Sequence, residues 1–266
     1  MSHADVNGLS LHYQEHGRGG GVPLVLLHGG FGAAETLGPV LPALAETRRV
    51  IAVDLQGHGR TADVDRPLHP ENLADDIAGL VAFLGLSEVD LMGYSLGGLA
   101  ALRTAIQHPG VVNRLVVVSD PCRRSGNHPE VVAQMDDLHP DLAEMMKQTP
   151  IYEHYAKVAP RPDDWPLLVD KMRDLLKQDY DWTDEVRTMS APTMLVFADA
   201  DSTRPDHIVE FYALLGGGLH DAGVDGSGRS ASRLAILPGT THYDLLFSPL
   251  LAPAIIPFLD APASPA

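Results

Sequence analysis

Gly93-Tyr94-Ser95-Leu96-Gly97-Gly98 follows the short apolar run Val89-Asp90-Leu91-Met92 and opens a helical pattern over residues 96–108. A serine with glycine two residues to either side, strand before and helix after, is the G-x-S-x-G arrangement. It demands a sharp turn that holds the serine in a strained backbone conformation. Strand and helix approach too closely at the flanking positions for a Cβ, and Gly93 and Gly97 meet that demand. Ser95 Oγ is then exposed at the carboxyl end of the strand, which makes Ser95 the candidate nucleophile.

Outward from this turn, other apolar runs rich in β-branched residues recur at 23–27, 49–54, 114–119, 193–198 and 233–237. They are continuous rather than alternating, the mark of strands covered on both faces, as in a parallel sheet. Residues 71–86 carry Leu73, Ile77, Leu80, Val81 and Leu84 on one helical face. The helix from residue 96 ends at Pro109-Gly110. Strands alternating with helices predict an α/β fold with right-handed crossovers. The rhythm breaks over residues 120–189, where helices are expected at 130–146, 151–158 and 165–178, punctuated by prolines. This reads as a helical insertion lying over the sheet, with residues 1–119 and 190–266 as the core. The Gly/Ser-rich stretch 216–232 is expected to be a flexible surface loop.

A serine hydroxyl needs a base, and the base needs an orienting group. His242 lies in the segment after the run 233–237, where it can swing over the sheet edge, and is the candidate base. Asp201 lies after the run 193–198, where a carboxylate can hold the imidazole tautomer. Asp199 competes with it; Asp201 is preferred because it sits further into the loop. The negative charge that develops on an attacked carbonyl needs preorganised backbone donors. Leu96 N–H is one. The other is expected in His28-Gly29-Gly30-Phe31-Gly32, at Gly30, with Phe31 as the alternative. Phe31 and Tyr94, beside these groups, are candidate substrate-binding residues.

Composition narrows the partners. The chain has 266 residues, 45% of them apolar, enough for one large α/β domain or a domain with an insertion. Nineteen basic against 35 acidic residues give a net charge of −16, which repels phosphate backbones and anionic lipid, so neither nucleic acid nor membrane is expected as a partner. The single cysteine, Cys122, forbids an intrachain disulfide, and no segment has the roughly 20 apolar residues that span a bilayer. A cytoplasmic location is expected. His28 and His58 sit beside glycines in turns without the paired spacing of zinc ligands, and no phosphate-cradling glycine loop is present, so no metal or cofactor site is expected.

His28-Gly29-Gly30, the segment Asp54-Leu-Gln-Gly-His-Gly-Arg-Thr61, the Ser95 turn and the Asp201 and His242 loops together resemble the α/β-hydrolase superfamily over nearly the whole chain. Together they look like its single-domain esterase, perhydrolase and C–C bond hydrolase branch. The resemblance implies an eight-stranded, mostly parallel sheet, a cap after the sixth strand, and no cofactor. Its second motif usually ends in serine where this chain has Thr61. Epoxide hydrolases and haloalkane dehalogenases of the superfamily carry aspartate where this chain has Ser95, so their alkyl-enzyme chemistry is not expected. The implied activity is hydrolysis of a carboxylic ester of a small soluble substrate through an acyl-enzyme. Lactone or C–C bond hydrolysis with the same triad is the first alternative, and ligand binding without catalysis the second. Met145, Met146, Tyr152, Tyr155, Trp165 and Trp182 are the candidates to line the pocket from the cap side.

Overall fold

The computed structural model describes residues 2–262. Its eight strands are β1 (Ser2–Val6), β2 (Leu9–His16), β3 (Leu24–Leu27), β4 (Val50–Val53), β5 (Val89–Tyr94), β6 (Val112–Val118), β7 (Thr193–Ala200) and β8 (Arg233–Thr241). They form one sheet in the order β1-β2-β4-β3-β5-β6-β7-β8. β2 is antiparallel to both of its neighbours, whereas every pairing from β4 across to β8 is parallel. The expected mostly parallel eight-stranded sheet is therefore present. All of β3 and β4 is buried, because successive side chains serve different layers. Val25, Leu27, Ile51 and Val53 pack in one layer with Leu73 and Ile77 of the helix Pro70–Phe83 and Leu102 of the helix Leu96–Gln107. Leu24, Leu26, Val50 and Ala52 pack in the other, with Leu44 of the helix Val40–Ala45 and Ile255 of the helix Leu251–Leu259.

The six apolar runs correspond to β3 through β8, and β1 and β2 are additional. Val6 pairs with Leu9, so the two residues between them, Asn7 and Gly8, make the turn, with φ of 50° and 82°. Asn-Gly is well suited to this turn because both central residues need positive φ. The strands it joins alternate buried Ala4, Val6, Leu9 and Leu11 with exposed residues, unlike the continuous runs of the central sheet.

Between β6 and β7 the described residues form helices and no strand of the sheet. The stretch 130–146, expected as one helix, is two: Pro129–Asp136 and Leu142–Met146. The break falls at Asp137–Asp141, where Pro140 cannot supply a helical N–H. The helix Trp165–Lys177 buries Trp165, Leu168, Val169, Met172 and Leu175 at helical spacing. A Cβ on Gly30 would lie 2.8 Å from Met172 Cε, and one on Gly57 3.4 Å from Leu168 Cδ1, so this helix lies directly over the loops after β3 and β4. Lys171 fastens it there: Nζ donates to Asp63 Oδ2 at 2.5 Å, to Val64 O at 2.8 Å and to Arg66 O at 2.6 Å. From Leu215 to Ser232 the chain forms neither helix nor strand.

Candidate active site

The turn at the end of β5 is as tight as its glycines suggest. Ser95 has φ 52° and ψ −121°, a left-handed conformation that a non-glycine residue holds only when its surroundings enforce it. They do. Ser95 N–H donates to Val118 O of β6 at 2.9 Å, and Ser95 O accepts from Leu99 N–H at 2.9 Å, so the residue is clamped between strand and helix. A Cβ on Gly93 would stand 1.9 Å from Gly97 O, and one on Gly97 2.6 Å from both Leu27 O and His28 O. No side chain fits at either position.

His242 follows β8 directly, and its Nε2 lies 3.2 Å from Ser95 Oγ. On the other edge of the ring, Nδ1 lies 3.4 Å from Asp201 Oδ1 and 3.0 Å from Ser202 Oγ. The Asp201 side chain is 1% exposed. Its Oδ2 accepts from Ser119 Oγ at 2.6 Å and from Ala198 N–H at 2.9 Å. Burial opposes ionisation of Asp201, but the His242 contact, the Ser119 hydroxyl and the Ala198 amide outweigh it and hold the carboxyl below its usual range. Asp199 is turned the other way. It lies within β7, exposed, and accepts from Gly239 N–H at 2.9 Å and Thr240 N–H at 3.1 Å, bracing β8 before His242.

Gly32 N–H closes a turn onto Gly29 O at 3.1 Å, with Gly30 and Phe31 as its central residues and Phe31 at φ 59°. The amides of Gly30, Phe31 and Leu96 donate to no acceptor among the described residues, so all three remain available. The Phe31 ring packs 5.6 Å from the Trp165 ring and 6.4 Å from that of His58. Tyr94, expected beside the substrate, is tied to the base. Its hydroxyl donates to His242 O, its ring lies 5.6 Å from the imidazole, and the side chain packs with the opposite layer of the core. Burial pushes the phenol up to about 12, so it stays a donor.

A buried polar frame shapes the loops beneath. Asp54 accepts from Ala34 N–H at 2.7 Å and Arg60 N–H at 2.8 Å, and its Oδ2 lies 2.9 Å from His12 Nδ1. Although burial opposes its charge, these contacts hold it down at about 2. Thr61 Oγ1 donates to Asp54 O at 2.6 Å and accepts from His12 N–H at 2.8 Å, so threonine supplies the hydroxyl that serine would give. His28 Nε2 accepts from Leu55 N–H at 3.0 Å, tying the loop after β3 to the loop after β4. Neither Ser119 nor Ser202 carries a motif that would mark it in the sequence. A cleft of about 340 Å³ bordered by Leu99, Leu175, Tyr180 and Trp182 contains none of the three aligned residues. Among the described residues, no cluster of three or more His, Cys, Asp or Glu could hold a metal, and no helix is long and apolar enough to cross a membrane.

The sequence model of the alpha/beta hydrolase family matches residues 24–254, from β3 to within the last helix. The chain belongs to the alpha/beta hydrolase family. Among family members, the sn-1-specific diacylglycerol lipase ABHD11 of Mus musculus is 37% identical over 125 residues, 44% of this chain and 39% of that protein. The 2-hydroxymuconate semialdehyde hydrolase of Pseudomonas sp. (strain CF600) is 38% identical over 107 residues, 39% of this chain and 38% of that protein. The chain thus spans less than half the length of these curated relatives. The enol-lactonase from Burkholderia xenovorans LB400 shares the hydrolase fold with a TM-score of 0.71 and 20% identity, covering 97% of this chain and all of that one.

Proposed function

We propose that the protein is a serine hydrolase that cleaves a carboxylic ester of a small dissolved substrate through an acyl-enzyme. The observation that carries the proposal is the unbroken line of contacts from Ser95 Oγ through His242 to Asp201. His242 Nε2 takes the proton as Ser95 Oγ attacks the carbonyl carbon, and Asp201 steadies the imidazolium that forms. Amides of Leu96 and Gly30 receive the oxyanion, with Phe31 N–H the alternative to Gly30. His242 then returns the proton to the departing alcohol. Water attacks the acyl-serine by the same route in reverse. Every step is supplied by protein groups and water, so the reading requires no cofactor.

Residues 120–189 act in this reading as a cap on a core formed by the rest of the chain. The helix Trp165–Lys177, pinned through Lys171, sets Trp165 and Met172 above the Gly29–Gly32 turn and limits the depth available to an acyl chain. The charge of −16 opposes docking at anionic lipid or nucleic acid and suits an enzyme acting on dissolved molecules, which in this reading is cytoplasmic. A lactone would use the same groups, as the fold shared with an enol-lactonase suggests, as would a C–C bond beside a ketone. The test is turnover of dissolved short-chain esters by the wild type and by Ser95→Ala. The variant should fold and lose roughly 10³-fold or more in kcat. A folded Ser95→Ala protein with near-normal rates would refute the proposal.

A further inference from the structure

We propose that Ser202 is a positioning residue of this site, its hydroxyl sharing the Nδ1 proton of His242 with Asp201. The inference rests on the catalytic reading of Ser95, His242 and Asp201 above. Three distances define the arrangement. Ser202 Oγ lies 3.0 Å from His242 Nδ1 and 3.3 Å from Asp201 Oδ1, while the direct distance from Nδ1 to Asp201 Oδ1 is 3.4 Å. The histidine is therefore nearer to the hydroxyl than to the carboxylate. A neutral imidazole that must present a bare Nε2 to Ser95 carries its proton on Nδ1, and that N–H donates to the closer oxygen, Ser202 Oγ. The serine hydrogen then points to Asp201 Oδ1, completing a relay of two hydrogen bonds.

The other oxygen of Asp201 cannot take over this task. Oδ2 already accepts from Ser119 Oγ on one side and Ala198 N–H on the other, which fixes the carboxylate plane with Oδ1 facing the histidine. Ser202 is free to hold its place because its backbone is tied separately: Ser202 O accepts from His128 N–H at 2.9 Å. Asp201 thus meets the imidazole partly through a neutral hydroxyl. This tempers how strongly its charge favours the imidazolium, while still fixing the ring's orientation.

The groups around His242 make this contact readable in a pH profile. From β5, Tyr94 reaches the His242 carbonyl; it is a phenol pushed up to about 12 by burial, and so neutral. Beyond the end of β6, near Asp201, is Asp120, whose carboxyl is pushed well above the usual range by burial and by the Asp201 charge. Tyr243 packs its ring 5.4 Å from the imidazole on its own loop, with Asp244 next along. Asp201 is then the charged group that contacts the ring directly, and Ser202 the hydroxyl that stands between them.

The test compares wild type, Ser202→Ala and Ser202→Thr on a dissolved short-chain ester across pH. Ser202→Ala leaves Nδ1–H to Asp201 alone. Its plateau kcat should fall about tenfold, because the ring loses the nearer contact that fixes its orientation toward Ser95 and this outweighs the closer charge pairing, with KM within twofold. The acid limb of kcat/KM should move up by about half a pH unit, because the imidazolium then meets the full carboxylate charge. Ser202→Thr, which restores a hydroxyl at the same atom, should return both values toward wild type. An acid limb unmoved in a folded Ser202→Ala protein would overturn the proposal, as would a Ser202→Thr protein no better than the alanine variant. Failure of the catalytic reading itself is seen separately, as retained turnover in Ser95→Ala.

Discussion

Asp201 is buried and held by donors from two neighbouring strand ends, which leave its Oδ1 facing His242. That arrangement predicts a strong effect of the isosteric amide. Asp201→Asn should lower kcat/KM by roughly 10³- to 10⁴-fold without unfolding, because the amide favours the wrong imidazole tautomer. Asp199→Asn, whose contacts brace β8, should stay within about threefold. Steady-state kinetics on both variants check the pair, and a crippled Asp199→Asn beside a mild Asp201→Asn would reverse the assignment. The sequence put both acids in one short segment and favoured Asp201 only by its place further into the loop, without showing why it turns inward. That depends on β7 running on to Ala200 with a register shift against β8 between Ala198 and Ala200, which hydrophobic pattern does not encode. The contacts of Tyr94 were hidden for a similar reason. Its place beside Ser95 is visible in the sequence, but the layer of the core it enters is set by the pleat. The two candidate oxyanion amides separate by one substitution. Gly30 precedes the positive-φ position of its turn, where proline is tolerated, and the added Cβ would press on the Met172 methyl at 2.8 Å, so Gly30→Pro made and compared in a Met172→Ala background deletes one N–H and keeps the turn. A loss of about 10²- to 10³-fold in kcat assigns the donor to Gly30, and near-normal kcat assigns it to Phe31.

At the scale of elements, the turn between β5 and its helix was the most legible part of the chain, because close approach of two backbones leaves a chemical mark, glycine. Gly93→Ala should destabilise by more than about 2 kcal/mol, since its Cβ would meet the Gly97 carbonyl, which has no slack. Urea unfolding of the purified variant measures this, and a wild-type midpoint would contradict the close approach. The β1–β2 hairpin was overlooked although Asn7-Gly8 marks it, because a half-exposed strand pair alternates and carries no continuous apolar run. The helices after β6 were legible as helices. Their seat above the Gly29–Gly32 turn was not, because the contact of Met172 with Gly30 joins residues remote in sequence. Enclosure by that roof predicts that acyl chains of about two to six carbons are preferred, each methylene adding at most about 0.8 kcal/mol while space remains. A plot of kcat/KM against acyl length checks this. A steady rise to long chains with activation on emulsions would contradict the cap reading.

For the molecule as a whole, one buried acid sets a pH dependence of stability apart from catalysis. Asp90 on β5 is 3% exposed, and burial pushes its carboxyl up to about 6, against the Asn113 hydrogen bond and the charges of Arg114 and Arg48. Unfolded, it would titrate near 3.8. Between these values the folded chain binds more protons than the unfolded one, so this group's contribution to stability falls as pH rises through about 4 to 6. Asp90→Asn, which keeps an acceptor for Asn113, should therefore gain about 1–3 kcal/mol at pH 8 and little at pH 4. Thermal melts at both pH values decide it, and a gain that is equal at both would contradict the linkage. The central claim, that Ser95 is the nucleophile, is tested most directly by the mass of the intact protein after exposure to a fluorophosphonate. One phosphonyl group should be added per chain, map to the peptide containing Ser95, and be absent in both Ser95→Ala and His242→Ala. Labelling that persists in folded Ser95→Ala, or that maps to another residue, would contradict the account.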